Sequence, residues 1–235
     1  MLRSLIILAI FPVVVKFPWN FVPFWWGFRH GNVPMPSEVK ARERRVGRYL
    51  SFPVSSILAL VAAYYANKFG SSRDALGLNL RHWRSAALCG LVAGVIVGVA
   101  GQAVLIGLSR GRDRQQVPAE QFLEGSLLFW VIQILYVDFA EELWRAASLR
   151  VLSMASVPDL WCVVASAIAF GVGHLGRGMH RAMGTASFAV PAAILFLWSG
   201  SLLAPYTFHV AVTFSTLFWL RWALRSRRLG MNEPG

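Results

Sequence analysis

The sequence predicts an all-α, polytopic bundle of membrane helices with about seven membrane segments, on three observations. Of its 235 residues, 56% are hydrophobic and only 14% charged, against about 25% charged in a soluble domain. The apolar residues gather in runs close to the ~20 residues a helix needs to cross the hydrocarbon core. The Lys and Arg residues behind the net charge of +12 sit between those runs. That placement fits the loop bias of membrane proteins and argues against a nucleic-acid-binding stripe. The chain reads as one membrane domain, with membrane segments and a basic loop over residues 1–70 and a functional core over 75–224.

Taken in order, the first segment is expected at roughly Leu5 to Trp26, irregular because of Pro12, Pro18 and Pro23 and because Lys16 lies inside it. Arg3 followed by Leu5–Val15 resembles a signal sequence, but no small-residue cleavage site follows, and the aromatic stretch after Lys16 suits a retained membrane segment. A basic loop over Phe28–Arg48 leads to a second segment at about Tyr49–Ala66. The third, about Ala86–Leu108, carries Gly90, Gly94 and Gly98 four residues apart, a spacing that lets another helix approach closely. After a charged loop over Ser109–Gln121, the fourth runs from near Phe122 to about Leu152, longer than a simple span. The fifth is Leu160 to about Leu175, followed by a Gly- and Arg-rich link over Gly176–Gly184. The sixth is about Thr185–Trp198 and the seventh about Leu202–Leu224, ending in Arg225, Arg227 and Arg228. Cys89 and Cys162 lie inside apolar runs and read as small buried hydrophobes, not a disulfide. With seven spans, the more basic loops share a side with the C-terminus, which is expected to be cytoplasmic, in a plasma (inner) membrane.

Against this apolar background, polar side chains at membrane depth are costly and point to function. Asp138, Glu141, Glu142 and Arg145 fall together in the fourth segment, directly after the apolar run Leu127–Val137. Arg145 is one turn from both Glu141 and Glu142 and can keep a carboxylate ionised and placed. A structural ion pair accounts for one Glu and the Arg, but not for the second Glu and Asp138. His174 ends the fifth segment with Phe170 one turn before it, and His209 lies in the seventh with Thr213 one turn after it. Each alone reads as an interfacial or core histidine. Two such histidines and a carboxylate cluster on three helices supply a general base for water and donors for an oxyanion, which is the equipment for peptide-bond hydrolysis without a nucleophilic Ser or Cys. The same residue types can hold a divalent metal, so a metal-free site and a zinc site both stay open.

These residues resemble the CPBP family of intramembrane proteases, the type II CAAX prenyl endopeptidases and their relatives in bacteriocin immunity and sorting-tail processing. The family motifs are EExxxR, FxxxH and HxxxN or HxxxD on successive helices. Phe170–His174 fits the second, and His209–Thr213 fits the third with Thr in place of Asn or Asp. Leu76–Leu78 also looks familial, so the resemblance extends over about Ala75–Leu224. It implies an endopeptidase in which Glu141 or Glu142 activates water with His174, His209 and Thr213 hold the oxyanion, and Arg145, Phe170 and Asp138 support them. The implied substrate is a membrane-anchored peptide or protein. Aligned through Trp144–Arg145–Ala146, the family's first Glu falls on Ala140 and its second on Glu141. Three readings follow: Glu141 and Glu142 are the pair, with the Arg one residue nearer; Glu141 is the base, helped by Asp138; or the chain keeps the scaffold without the activity and binds a peptide as an immunity or assembly factor. A proton-relay transporter is a more distant reading, since no inverted repeat is visible.

Overall fold

The computed structural model describes residues 26, 29–30, 36–68, 76–78, 82–109, 126–175 and 179–230. Apolar runs rich in Leu, Ala and Val, without the alternation of a half-buried strand, form helices where lipid cannot satisfy backbone groups. Six helices follow one another among the described residues: α1 (Ser37–Lys68), α2 (Trp83–Ser109), α3 (Leu127–Met154), α4 (Asp159–Val172), α5 (Met179–Ser199) and α6 (Leu203–Gly230). No strand occurs among those residues. The expected first segment lies outside the described residues apart from Trp26, as do the links 69–75, 110–125 and 176–178.

The six helices take up the second to seventh expected segments, with shifted ends. α1 begins at Ser37, so the second half of the presumed basic loop is helical. α5 begins at Met179 inside the presumed link, and α6 continues through the terminal arginines to Gly230. Charge and glycine composition suggested loops there, but Arg is a good helix former and a helix that leaves the membrane has no need to stop. Three stretches are long and apolar enough to cross a membrane, Arg45–Tyr65, Trp83–Ala103 and Ala182–Ser199, and α4 is a shorter apolar helix. Leu88, Leu91, Val92, Val95, Ile96 and Val99 give α2 a wide exposed apolar face.

Three seams hold the helices. The most extensive joins α2 to α6. Gly90, Gly94 and Gly98 are buried along it, and a Cβ at any of them would run into α6: at Gly90 into the carbonyl of Ala204, at Gly94 into that of Phe208, at Gly98 into Ser215 Cβ at 2.8 Å. Thr207 Oγ1 shares its one proton between the Ala87 carbonyl across the seam at 3.0 Å and the Leu203 carbonyl of its own helix at 2.8 Å, and Gln102 Nε2 donates to Thr216 Oγ1 at 3.0 Å. A second seam joins α1 to α3, where Gln133 Nε2 donates to Ser51 Oγ at 2.7 Å and the Ser56 and Tyr136 hydroxyls pair at 2.6 Å. The third joins α4 to α5. The main apolar cluster, with Leu58, Tyr65, Trp144, Leu149, Cys162 and Phe196, lies where α1, α3, α4 and α5 meet. Cys162 is buried and Cys89 half-buried, and both are free thiols.

Leu76–Leu78 ties the approach to α2 to the start of α6. Gly77 has φ +70, its carbonyl accepts from Leu202 N–H at 2.9 Å, and a Cβ there would lie 2.9 Å from the Gly200 carbonyl oxygen. Only glycine suits both the left-handed backbone and the close approach.

Candidate functional site

α3 starts at an N-cap, Ser126, whose hydroxyl accepts from Phe129 N–H at 3.1 Å. From there Trp130, Ile134, Asp138, Glu142, Arg145 and Leu149 are all buried, at the three- and four-residue spacing of one helix face. The core stripe of α3 therefore passes straight through the charged cluster, and Asp138, Glu142 and Arg145 occupy positions where apolar side chains would otherwise pack.

Glu142 is fully buried. Its Oε1 accepts from Arg145 Nη1 and from His209 Nδ1, the latter at 2.7 Å. Arg145 is fixed from a second direction, its guanidinium lying over the Phe170 ring at 4.5 Å. Because Glu142 can only accept, His209 donates through Nδ1, and its Nε2 points at Asp138 Oδ1 (3.6 Å) and Glu141 Oε2 (3.9 Å). Those two distances exceed a direct hydrogen bond. Thr213, one turn on from His209, lies beside the Asp138 carboxylate.

Glu141 is shared between this cluster and an adjoining cavity. It lines a cavity of about 40 Å³ together with Leu58, Arg145, Ser148, Ser166 and Phe170. The space suffices for ordered water, which needs about 10–15 Å³ per molecule by this kind of measure and several polar partners. His174 lies in the turn that ends α4, its backbone N–H bonded to Gly171 O at 2.9 Å and its Nδ1 donating to the Phe170 carbonyl at 2.8 Å. A carbonyl cannot donate, so Nδ1 carries a proton and Nε2 is the nitrogen available to take one. The Phe170 ring is the common neighbour: its centroid is 4.9 Å from the His174 ring and 6.1 Å from that of His209.

The structure thus brings Asp138, Glu141, Glu142, Arg145, His209 and Thr213 into one cluster, with Phe170 against it and His174 against the Phe170 ring. Four helices contribute, because Phe188 of α5 sets its ring, tilted by 56°, 4.6 Å from that of His209. Phe188 was not visible as a site residue in the sequence: it belongs to no polar pattern and is one of many aromatic residues in apolar runs. Ser166 was equally silent, a buried serine in an apolar helix. Among the described residues, no three His, Cys, Asp or Glu side chains are arranged to hold a metal ion. His209 Nδ1 and Glu142 Oε1 are turned on one another, which withdraws those two atoms from such a set.

Residues 123–215 match the family model of the type II CAAX prenyl endopeptidase Rce1-like proteins. The matched span runs from just ahead of α3 to just beyond Thr213. It contains every residue singled out for the site, and leaves out α2 and the Leu76–Leu78 turn. It agrees with the CPBP resemblance, and the long apolar helices are those of a membrane protein. No curated protein and no solved structure matches the chain.

Proposed function

We propose that the chain is an intramembrane endopeptidase that hydrolyses a peptide bond in a membrane-anchored protein or peptide with a carboxylate-activated water, Glu141 being the base. The observation that carries this reading is the division between neighbouring glutamates. Glu142 is fully buried and held by Arg145 and His209, whereas Glu141 lines a water-sized cavity and has its Oε2 3.9 Å from His209 Nε2.

The chemistry runs as follows. Glu141 takes a proton from a water in the cavity as the water oxygen adds to the scissile carbonyl. The negative charge that develops on the carbonyl oxygen is met by His209, when it carries its second proton on Nε2, and by the Thr213 hydroxyl. The proton held on Glu141 then passes to the leaving amine, directly or through His174 Nε2, and the C–N bond breaks. Glu142, Arg145 and Phe170 fix His209 and the cluster, and Asp138 lies beside Thr213, whose single hydroxyl proton turns to the oxyanion as it forms. No step needs a metal ion. The basic residues gathered on the C-terminal side fit a multi-pass orientation in a plasma (inner) membrane with a cytoplasmic C-terminus.

The test is cleavage of membrane-anchored peptides by the purified protein in lipid. Cleavage is expected to persist in a strong chelator and to fall by about 10²–10⁴-fold in His174→Ala. Intact, folded protein that cleaves no such peptide would favour the peptide-binding reading, which the buried Ala140 at the position of the family's first glutamate motivates.

A further inference from the structure

Arg145 has more donors than its described partners use. Nη1 goes to Glu142, while Nε and Nη2 are buried and meet no acceptor among the described residues. Arg145 is only 3% exposed, so water from the bulk does not reach those donors freely. Nε and Nη2 form one edge of the guanidinium, the edge that binds two acceptors side by side. Its direction is fixed, since the plane rests on Phe170 at 4.5 Å and Nη1 is anchored. Arg145 also lines the same cavity of about 40 Å³ as Glu141. An unpaired buried donor costs about 1–3 kcal/mol, more when charged, so an edge of this kind calls for an acceptor.

The surroundings define the acceptor's chemistry. Glu141 lines the cavity and Glu142 sits on the same guanidinium, so an added anion would face two carboxylates across a low-dielectric space. A cation would face Arg145 itself. The remaining walls are apolar or weakly polar: Leu58, Phe170, and the hydroxyls of Ser148 and Ser166. Ser148 spends its proton on the Trp144 carbonyl at 2.9 Å. The site suits a neutral acceptor of modest size.

We propose that this cavity is a substrate subsite in which the Nε–Nη2 edge of Arg145 donates to a neutral main-chain carbonyl near the scissile bond. The assignment rests on the protease reading and adds a direct substrate contact to it. In the free protein the same edge holds water, which the incoming carbonyl displaces. The subsite selects an extended, uncharged backbone and rejects a free C-terminal carboxylate at this position.

The test reads binding and not turnover. The full chain, with ¹⁵N-labelled arginine side chains, is placed in lipid discs and titrated with N-methylacetamide as the peptide-carbonyl probe and acetate as the anionic one. The Arg145 Nε–H resonance is identified by its loss in Arg145→Lys. If that variant fails to fold, it is identified by its displacement in Phe170→Leu, which removes the ring current. N-methylacetamide is expected to shift the resonance saturably, and acetate is not. Ser166→Val, which adds bulk to the cavity wall, should weaken the probe by about tenfold or more, while Ser166→Ala, which keeps the space, should change it by less than about threefold. No response to N-methylacetamide, a preference for acetate, or an unchanged affinity in folded Ser166→Val overturns the proposal. Because no cleavage is needed, an intact probe response in a protein that cleaves nothing sinks the protease reading alone. Cleavage without a probe response sinks the subsite alone.

Discussion

α6 presents two faces of opposite character. Toward α2 it offers backbone and small side chains, Ala204, Phe208, Ala211 and Ser215, against Gly90, Gly94 and Gly98. Toward α3 it offers His209 and Thr213 to three carboxylates and an arginine. The first face is held by close van der Waals approach, which is what joins helices in lipid, where no hydrophobic effect drives them together. The second holds charges whose removal from water costs several kcal/mol per ion and is offset only when geometry and hydrogen bonds are nearly complete. The glycine seam fixes where α6 stands. The charged seam uses that fixed position to set His209 Nδ1 at 2.7 Å from Glu142 and to turn Nε2 toward Asp138 and Glu141.

The comparison can be broken at its most costly point first. Glu142→Leu leaves Arg145 buried without its anion and should cost about 3–5 kcal/mol, read as a fall in the unfolding midpoint in detergent. A loss below about 1 kcal/mol would mean that the pair is not the anchor. On the other face, Gly94→Val pushes a side chain into the Phe208 carbonyl and Ala211 Cβ and should cost about 1–3 kcal/mol or more. Gly101→Val, on the same helix with no atom within 4 Å of its Cβ position, should stay within about 0.5 kcal/mol. The same change made on both faces of α6 sharpens the contrast. Thr213→Val removes a hydroxyl that serves a carboxylate and should cost about 1.5–3 kcal/mol. Thr207→Val removes a bond to a neutral carbonyl across the glycine seam and should cost only about 0.6 kcal/mol. Equal losses would erase the distinction between the faces.

Much of this was legible in the sequence. The glycines at 90, 94 and 98 declared a close helix contact by spacing alone, though not that α6 supplies the partner. Asp138, Glu141, Glu142, Arg145, His174 and His209 stood out because charge and imidazole are rare at membrane depth. What stayed ambiguous was the register of the glutamates, because alignment on the family's Arg placed Ala140 where a Glu was expected. Periodicity does not separate them: Glu141 and Glu142 each lie three or four residues from both Asp138 and Arg145, so either continues the stripe Trp130, Ile134, Asp138. Phe170 was legible through FxxxH, but its role as the ring shared by Arg145, His174 and His209 was not, since that depends on how α4 meets α3 and α6. Phe188 and Ser166 carried no signal, because nothing in a lone apolar helix says which of its residues faces a site.

The central claim is that adjacent glutamates divide the work, Glu142 holding the cluster and Glu141 activating water. The most direct measurement sets Glu141→Gln beside Glu142→Gln in one preparation, reading unfolding midpoint and peptide cleavage together. Glu141→Gln is expected to keep the wild-type midpoint while cleavage falls by about 10²–10⁴-fold; Glu142→Gln is expected to lower the midpoint as well as the cleavage. Wild-type cleavage in folded Glu141→Gln, with activity lost in a Glu142→Gln protein of unchanged stability, would contradict the account and reverse the two roles.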